Sequence, residues 1–291
     1  MVGMENVVRS TRVTLEMIKW EHSIFALPFA LTGAVLAAGG WPSARVLLWI
    51  VVCMVGARSA AMAFNRLVDS EIDAVNPRTA MRALPKGELS RGFVLSFTVL
   101  ASCVFLLGAA MLNRLTLELA PVALVVVLAY SYMKRVTRWS HLVLGLALGI
   151  APAAAWIAVR GILAPRALLL TAIVILWVGG FDVLYACQDF EHDRKAGLNS
   201  VPQAFGLEGA FWIARGMHVG MAVLLFVLLH AFGLGAIALA GMVVVLVLLG
   251  YEHAIVSPHD LRRMNAAFFT LNGVISMVFF AAVAADVLWR R

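Results

Sequence analysis

The stretch Asn65-Arg-Leu-Val-Asp69-Ser-Glu-Ile-Asp73 decides how the rest of the chain is read. It closes a run from Ile50 to Phe64 of mostly small and apolar residues, in which Arg58 is the one charge. Asn65, Asp69 and Asp73 follow one another at intervals of four. On a helix, residues four apart share a face, each turned about 40° from the last. One face therefore presents an amide oxygen and two carboxylates. A second stretch, Asp182-Val-Leu-Tyr185-Ala-Cys-Gln-Asp189-Phe-Glu-His-Asp193, echoes the first: offsets of three, seven and eleven put Tyr185, Asp189 and Asp193 on nearly the face of Asp182. Each stretch ends an apolar segment and opens into a basic loop that contains proline.

The surroundings of both stretches are those of a membrane protein. Hydrophobic residues make up 63% of 291 and charged residues only 13%, with a mean hydropathy of +0.93. A soluble domain is nearer half apolar and a quarter charged. Nine apolar segments approach the roughly 20 residues that a bilayer requires: 18–38, 44–65, 93–112, 115–132, 141–159, 167–186, 209–230, 234–251 and 266–287. Only Asn113-Arg114 separates the third from the fourth, which predicts a tight turn, and Pro28 and Pro152 are expected to kink their helices. The start of the chain lacks a signal-peptide cleavage pattern, so the first segment is expected to stay as a helix. Cys53, Cys103 and Cys187 stand alone in apolar runs and are expected to be buried small hydrophobes.

Basic residues set the expected orientation. The loops on the side of the acidic stretches, together with the N-terminus, hold fifteen Lys and Arg, and the opposite side holds six. That bias predicts that the acidic stretches face the cytoplasm. It also accounts for most of the +7 formal charge. No basic patch interleaved with aromatics accompanies it, so nucleic acid is not an expected partner.

Of 16 Asp and Glu, seven fall in the two stretches. Carboxylates at a membrane edge are costly, and clustering adds repulsion. A divalent cation would relieve both, and oxygen ligands of this kind suit Mg2+, which binds through a few carboxylates together with substrate phosphates. Arg66, Arg78, Arg82, Lys134, Arg135, Arg194 and Lys195 lie on the same side and are placed to clamp a diphosphate. Acid pairs, cations and apolar spans together suggest a substrate with a diphosphate head and an apolar tail. A single Asp-x-x-x-Asp reads best as solvated helix ends; two, with Asn65 and Tyr185 in register, do not. Arg58 lies on the face of Asn65 inside a span and reads either as a snorkelling side chain or as one facing the bundle. Glu21 and His22 read equally as an interfacial pair or as part of an acceptor pocket. His141, His192, His218, His230, His253 and His259 have no metal-ligand spacing and are expected at the interface.

These motifs carry a resemblance. Asn65-x-x-x-Asp69-x-x-x-Asp73, followed by Asn76-Pro77-Arg78-Thr79 and Leu84-Pro85-Lys86-Gly87, resembles the first motif of the UbiA family of intramembrane aromatic prenyltransferases. Asp182-x-x-Tyr185-Ala186-x-x-Asp189-x-x-x-Asp193-Arg194-Lys195-x-Gly197 resembles its second, and Tyr130-Ser-Tyr-Met-Lys134-Arg135 its Tyr-Pro-x-x-Lys-Arg element. Ser131 stands where the family often has Pro, and Arg66 where it often has Asp. Glu21-His-Ser-Ile-Phe-Ala-Leu-Pro28-Phe resembles the branch linked to menaquinone made through futalosine.

The resemblance implies an all-α membrane protein: nine helices ringed around a central cavity, in one domain, with cytoplasmic cap loops at about 66–92 and 189–208. It implies Mg2+-dependent transfer of a polyprenyl group from polyprenyl diphosphate to the ring of an aromatic hydroxy acid, 4-hydroxybenzoate or a 1,4-dihydroxy-6-naphthoate, in ubiquinone or menaquinone biosynthesis at the bacterial inner membrane. By position, Asn65, Asp69, Asp73, Asp189 and Asp193 form the Mg2+–diphosphate set. Arg78, Lys134, Arg135 and Lys195 help bind the diphosphate, and Tyr130 and Asp182 line the reaction site, while Arg58, Arg66, Tyr185, Glu21 and His22 are candidates for substrate contact on the reading of the residues themselves. Within the family, heme, chlorophyll or ether-lipid acceptors stay open. Outside it, a secondary transporter would also carry intramembrane charges, although at the midplane on broken helices rather than at one edge.

Overall fold

The computed structural model describes residues 12–18 and 23–290. Among these, nine long helices account for the apolar segments: α1 (Ser23–Ala38), α2 (Ala44–Val68), α3 (Arg91–Ala110), α4 (Arg114–Ala129), α5 (Ser140–Arg160), α6 (Pro165–Ala186), α7 (Val201–Ala231), α8 (Ala236–Ile255) and α9 (Asn272–Trp289). Eight of them, some with the short turns that continue them, are long and apolar enough to cross a membrane. The first is not: its 16 residues rise about 24 Å, short of a ~30 Å hydrocarbon core. The expected span 18–38 counted residues 19–22, which lie outside the described ones.

The polar residues between the segments make the turns. Ser43, Ser90, Asn113 and Ser200 each accept a hydrogen bond from the backbone N–H three residues on, satisfying donors that a helix start leaves open. Asn113 also answers the tight turn expected there. Its amide donates to the carbonyls of Ile157 and Ala158 at 2.8 and 3.2 Å, which ties the α3–α4 turn to the end of α5. Pro28 and Pro152 both sit inside helices, and the Thr32 hydroxyl donates to the Pro28 carbonyl at 2.8 Å. α7 begins at Val201, inside the expected loop at 189–208, and Gly206 breaks it just before the expected span at 209–230, with φ 74°, a conformation open to glycine at little steric cost.

The helices pack through small residues where backbones meet. A Cβ on Gly145 of α5 would lie 2.5 Å from the Ile175 carbonyl oxygen of α6, so glycine is what lets these two helices touch. Aromatic rings pack where α1, α6 and α9 meet: Phe29 of α1 stands 4.9 Å from Trp177 of α6 and 5.3 Å from Phe279 of α9, all three buried. Two histidine expectations fail in this interior. His218 is buried and hydrogen-bonds His253 at 2.8 Å, joining α7 to α8 rather than facing the interface. The cysteines also diverge, since Cys187 is buried, Cys53 half-buried and Cys103 exposed on α3; in a bilayer an apolar thiol is content against lipid.

Candidate active site

Both acidic stretches fold in the same way. A long helix stops inside the motif and a short one begins. α2 ends at Val68, Asp69 has φ −91° and ψ 4°, and a short helix runs Ser70–Val75. α6 ends at Ala186, a 3-10 turn covers Cys187–Asp189, and a helix follows at Phe190–Ala196. The first motif is thus not one continuous helix. Its register survives because Asp69 N–H still bonds the Asn65 carbonyl and Asp73 N–H the Asp69 carbonyl, at 2.9 and 2.7 Å.

The two motifs meet at the polar end of a cavity of 1210 Å³. Its apolar walls come from α2, α4, α5 and α6, for example Met54, Val127, Ala151 and Val178. Asn65, Arg66, Asp69, Asp73, Arg78, Lys134, Asp189 and Asp193 line it, as do Arg58, Tyr130, Asp182 and Tyr185. Three expected residues are elsewhere: Arg194 is exposed and does not line the cavity. Lys195 is exposed and off the wall, and Arg135 reaches the cluster from behind. Glu21 and His22 lie outside the described residues.

Three of the site's carboxylates, Asp69, Asp73 and Asp189, each pair with an arginine. Arg78 grips Asp189 with two bonds, Nε to Oδ1 at 2.8 Å and Nη2 to Oδ2 at 2.5 Å. This contact joins the loop after the first motif to the second. Arg78 also donates to the Tyr185 hydroxyl at 3.2 Å and lies over that ring. Arg82 Nη1 binds both oxygens of Asp73 at 2.7 and 2.6 Å. Arg135 Nη2 stands 3.0 Å from Asp69, whose other oxygen accepts from Asn65 at 2.9 Å. Burial still pushes the Asp69 carboxyl above its ordinary range, Arg135 notwithstanding. Arg66 is buried, with Nη1 on the Asn65 amide oxygen at 3.4 Å and Nε on the Met17 carbonyl at 3.4 Å, so it also anchors the helix at 12–18. Asp193 is 2% exposed, and its Oδ2 has no hydrogen-bond partner among the described residues.

Three participants went unrecognised in the sequence. Asn76 donates to Asp189 Oδ1 at 3.2 Å and accepts from Arg78 N–H at 2.9 Å, shaping the loop that delivers Arg78; the Asn-Pro pair is a turn signal that could have found it. His192 lines the cavity with Nε2 buried and without a partner among the described residues. His141, expected at the interface, is completely buried and bonded to Asp182 at 2.7 Å.

Among the described residues no three His, Cys, Asp or Glu side chains converge as a metal cage. The donor set nevertheless fits Mg2+, which keeps waters and takes one or two carboxylates together with phosphate oxygens instead of a complete protein cage. The unpartnered Asp193 oxygen is a buried acceptor that such an ion would satisfy.

Fold and site together define an integral membrane protein whose carboxylates and arginines guard the polar mouth of an apolar cavity. The chain belongs to the UbiA prenyltransferase family, which residues 26–274 match, and it is a prenyltransferase. A 4-hydroxybenzoate octaprenyltransferase of Aliivibrio fischeri (strain ATCC 700601 / ES114) is 35% identical over 254 residues, covering 87% of this chain and 88% of the relative. The apo structure of a UbiA homolog from Aeropyrum pernix K1 superposes with a TM-score of 0.84 at 33% identity, covering 91% of this chain and 98% of the other. A UbiA homolog from Archaeoglobus fulgidus, solved with GPP and Mg2+ bound, shares the fold with a TM-score of 0.70 at 20% identity, covering 95% and 99%.

Proposed function

We propose that the chain transfers a polyprenyl group from polyprenyl diphosphate to the ring of an aromatic hydroxy acid, 4-hydroxybenzoate or a 1,4-dihydroxy-6-naphthoate, for quinone biosynthesis. It acts as one catalytic domain of the bacterial inner membrane, with the cap loops at about 66–92 and 189–208 on the cytoplasmic side. The observation that carries this reading is the Arg78–Asp189 pair closing two acidic motifs over the mouth of a 1210 Å³ apolar cavity. An anionic head with several oxygens suits the mouth, and a hydrocarbon chain suits the walls. The similarity to a 4-hydroxybenzoate octaprenyltransferase supports the aromatic acceptor.

Asn65, Asp69, Asp73, Asp189 and Asp193 would hold Mg2+ together with the diphosphate. When bound, the ion supplies charge stabilisation to the departing diphosphate. Arg78 and Lys134 hydrogen-bond the diphosphate oxygens, with Arg66, Arg135 and Lys195 contributing positive potential around them. The cavity excludes water while the allylic C–O bond breaks and the diphosphate leaves with the electron pair. Arg58 holds the acceptor carboxylate and Tyr130 packs beside its ring. The ring's π electrons form the new C–C bond; the ring C–H pair then restores aromaticity as Asp182 takes the proton.

The test is turnover in detergent with geranyl diphosphate, Mg2+ and each aromatic acid. Product from the parent, dependent on Mg2+ and lost in both Asp69→Ala and Asp189→Ala, is the expected result. Mg2+-dependent binding of geranyl diphosphate without product from either acid refutes the aromatic acceptor, and absence of that binding refutes the diphosphate site.

A further inference from the structure

His141 and Asp182 form a contact that the reaction scheme leaves unexplained. His141, in the first turn of α5, is 0% exposed. Its Nδ1 lies 2.7 Å from Oδ2 of Asp182 on α6. Its Nε2 receives the backbone N–H of Val201, the first residue of α7, at 3.3 Å. The second bond decides the first. A backbone N–H can only donate, so Nε2 is the bare acceptor of a neutral ring, and the proton sits on Nδ1 and points at the carboxylate. Both nitrogens are then engaged, and neither is open to take a proton from Asp182.

The consequence falls on the carboxylate. Oδ2 is pinned from outside the cavity, while Oδ1 has no donor among the described residues, and the side chain is 15% exposed where it lines the cavity. We infer that His141 is a positioning residue: it spans α5, α6 and the start of α7, fixes Asp182 by one oxygen, and turns the other toward the acceptor ring. This rests on the reading of Asp182 as the group that receives the ring proton. In that step the ring C–H bond breaks, its electrons return to the ring, and the proton moves to Oδ1. His141 changes no bond of its own.

The test compares His141→Leu, which removes donor and acceptor at similar bulk, with His141→Gln, whose amide restores one of each. His141→Leu is expected to lower kcat roughly ten- to a hundredfold, the loss of one hydrogen bond to a charged group, while KM for prenyl diphosphate stays within about twofold. His141→Gln is expected to recover most of the loss. Where the leucine variant does not fold, His141→Asn replaces it, because its shorter amide cannot span both partners; kcat well below that of His141→Gln is then expected. Unchanged kcat per folded molecule in the leucine or asparagine variant, or no recovery in the glutamine variant, overturns the inference. A parent inactive with every ring refutes the transfer reading instead. The infrared carboxylate band that Asp182→Asn removes then decides the hydrogen bond: a band that moves in His141→Leu and returns in His141→Gln upholds the positioning, and one that does not move overturns it.

Discussion

Replacing Arg82 by methionine isolates how the carboxylate cluster is held together. Arg82 Nη1 lies 2.7 and 2.6 Å from the two Asp73 oxygens, and the side chains are 28% and 7% exposed respectively. Removing one member of a deeply buried pair costs about 3–5 kcal/mol because the other charge is left in a poor solvent. Water reaches the arginine side here, which screens the remaining carboxylate and brings the cost to about 2 kcal/mol. In a chain of 291 residues that lowers the apparent unfolding midpoint by roughly 3 °C. The carboxylate's charge, not the missing packing, carries the loss, so Asp73→Asn combined with Arg82→Met should recover most of it. The same argument fixes a sign for Mg2+. The parent's carboxylate is already neutralised, whereas the variant's is free, so Mg2+ should raise the midpoint of Arg82→Met by more than it raises the parent's. Thermal unfolding in detergent, followed by tryptophan fluorescence with and without Mg2+, measures all three forms. A double variant as unstable as Arg82→Met alone, or equal Mg2+ shifts in the variant and the parent, would refute the view that the cap-loop arginines stand as counter-charges which a cation replaces.

Other consequences follow from particular contacts. Burial raises the Asp69 carboxyl, so the folded state favours its protonated form; the stability this group contributes is present at low pH and is lost as pH rises through the folded value. Asp69→Asn should therefore unfold above the parent's midpoint at pH 8 while abolishing turnover, with the gap closing on acidification; midpoints measured across pH check this. Gly145→Ala puts a Cβ 2.5 Å from the Ile175 carbonyl and should cost about 1–3 kcal/mol, whereas Gly216→Ala, with nothing within 4 Å, should be neutral or slightly stabilising; the paired midpoints decide it. Asp286 accepts the N–H groups of Gly235 and Ala238 at 2.8 and 3.3 Å and so caps α8, and Asp286→Ala should cost about 1–2 kcal/mol, read as a lower midpoint with KM unchanged.

Legibility in the sequence followed the range of the forces involved. Apolar runs long enough for a bilayer are local facts, and eight of the nine expected spans hold in length and composition. The intervals of four in Asn65, Asp69 and Asp73 are local too, and they survive the helix break at Asp69 because two backbone bonds keep the register. The break itself is invisible to periodicity, since a change at one residue leaves the spacing intact. What eluded the sequence was pairing across distance. Arg78 meets Asp189 from 111 residues away, and His141 meets Asp182 from 41. Spacing alone gave His141 no partner, and its ring defaulted to the interface.

Those distant pairs also explain why so many acids can crowd one edge of a membrane protein. Four carboxylates without counter-charge would repel and would each resist burial. Arg78 and Arg82 reach them from the loop after the first acidic stretch and Arg135 from the connection between α4 and α5, so the cluster is nearly balanced before anything binds. Balance of that kind has a functional side. Each arginine is a bidentate donor suited to carboxylate and phosphate alike. A diphosphate arriving with its cation offers the arginines new acceptors and the carboxylates a new charge at the same time. Either partner arriving alone must break ion pairs and leave half of the charges unanswered. Under the proposed function the architecture would therefore favour joint binding of cation and diphosphate, through arginines that lie outside the two acidic stretches.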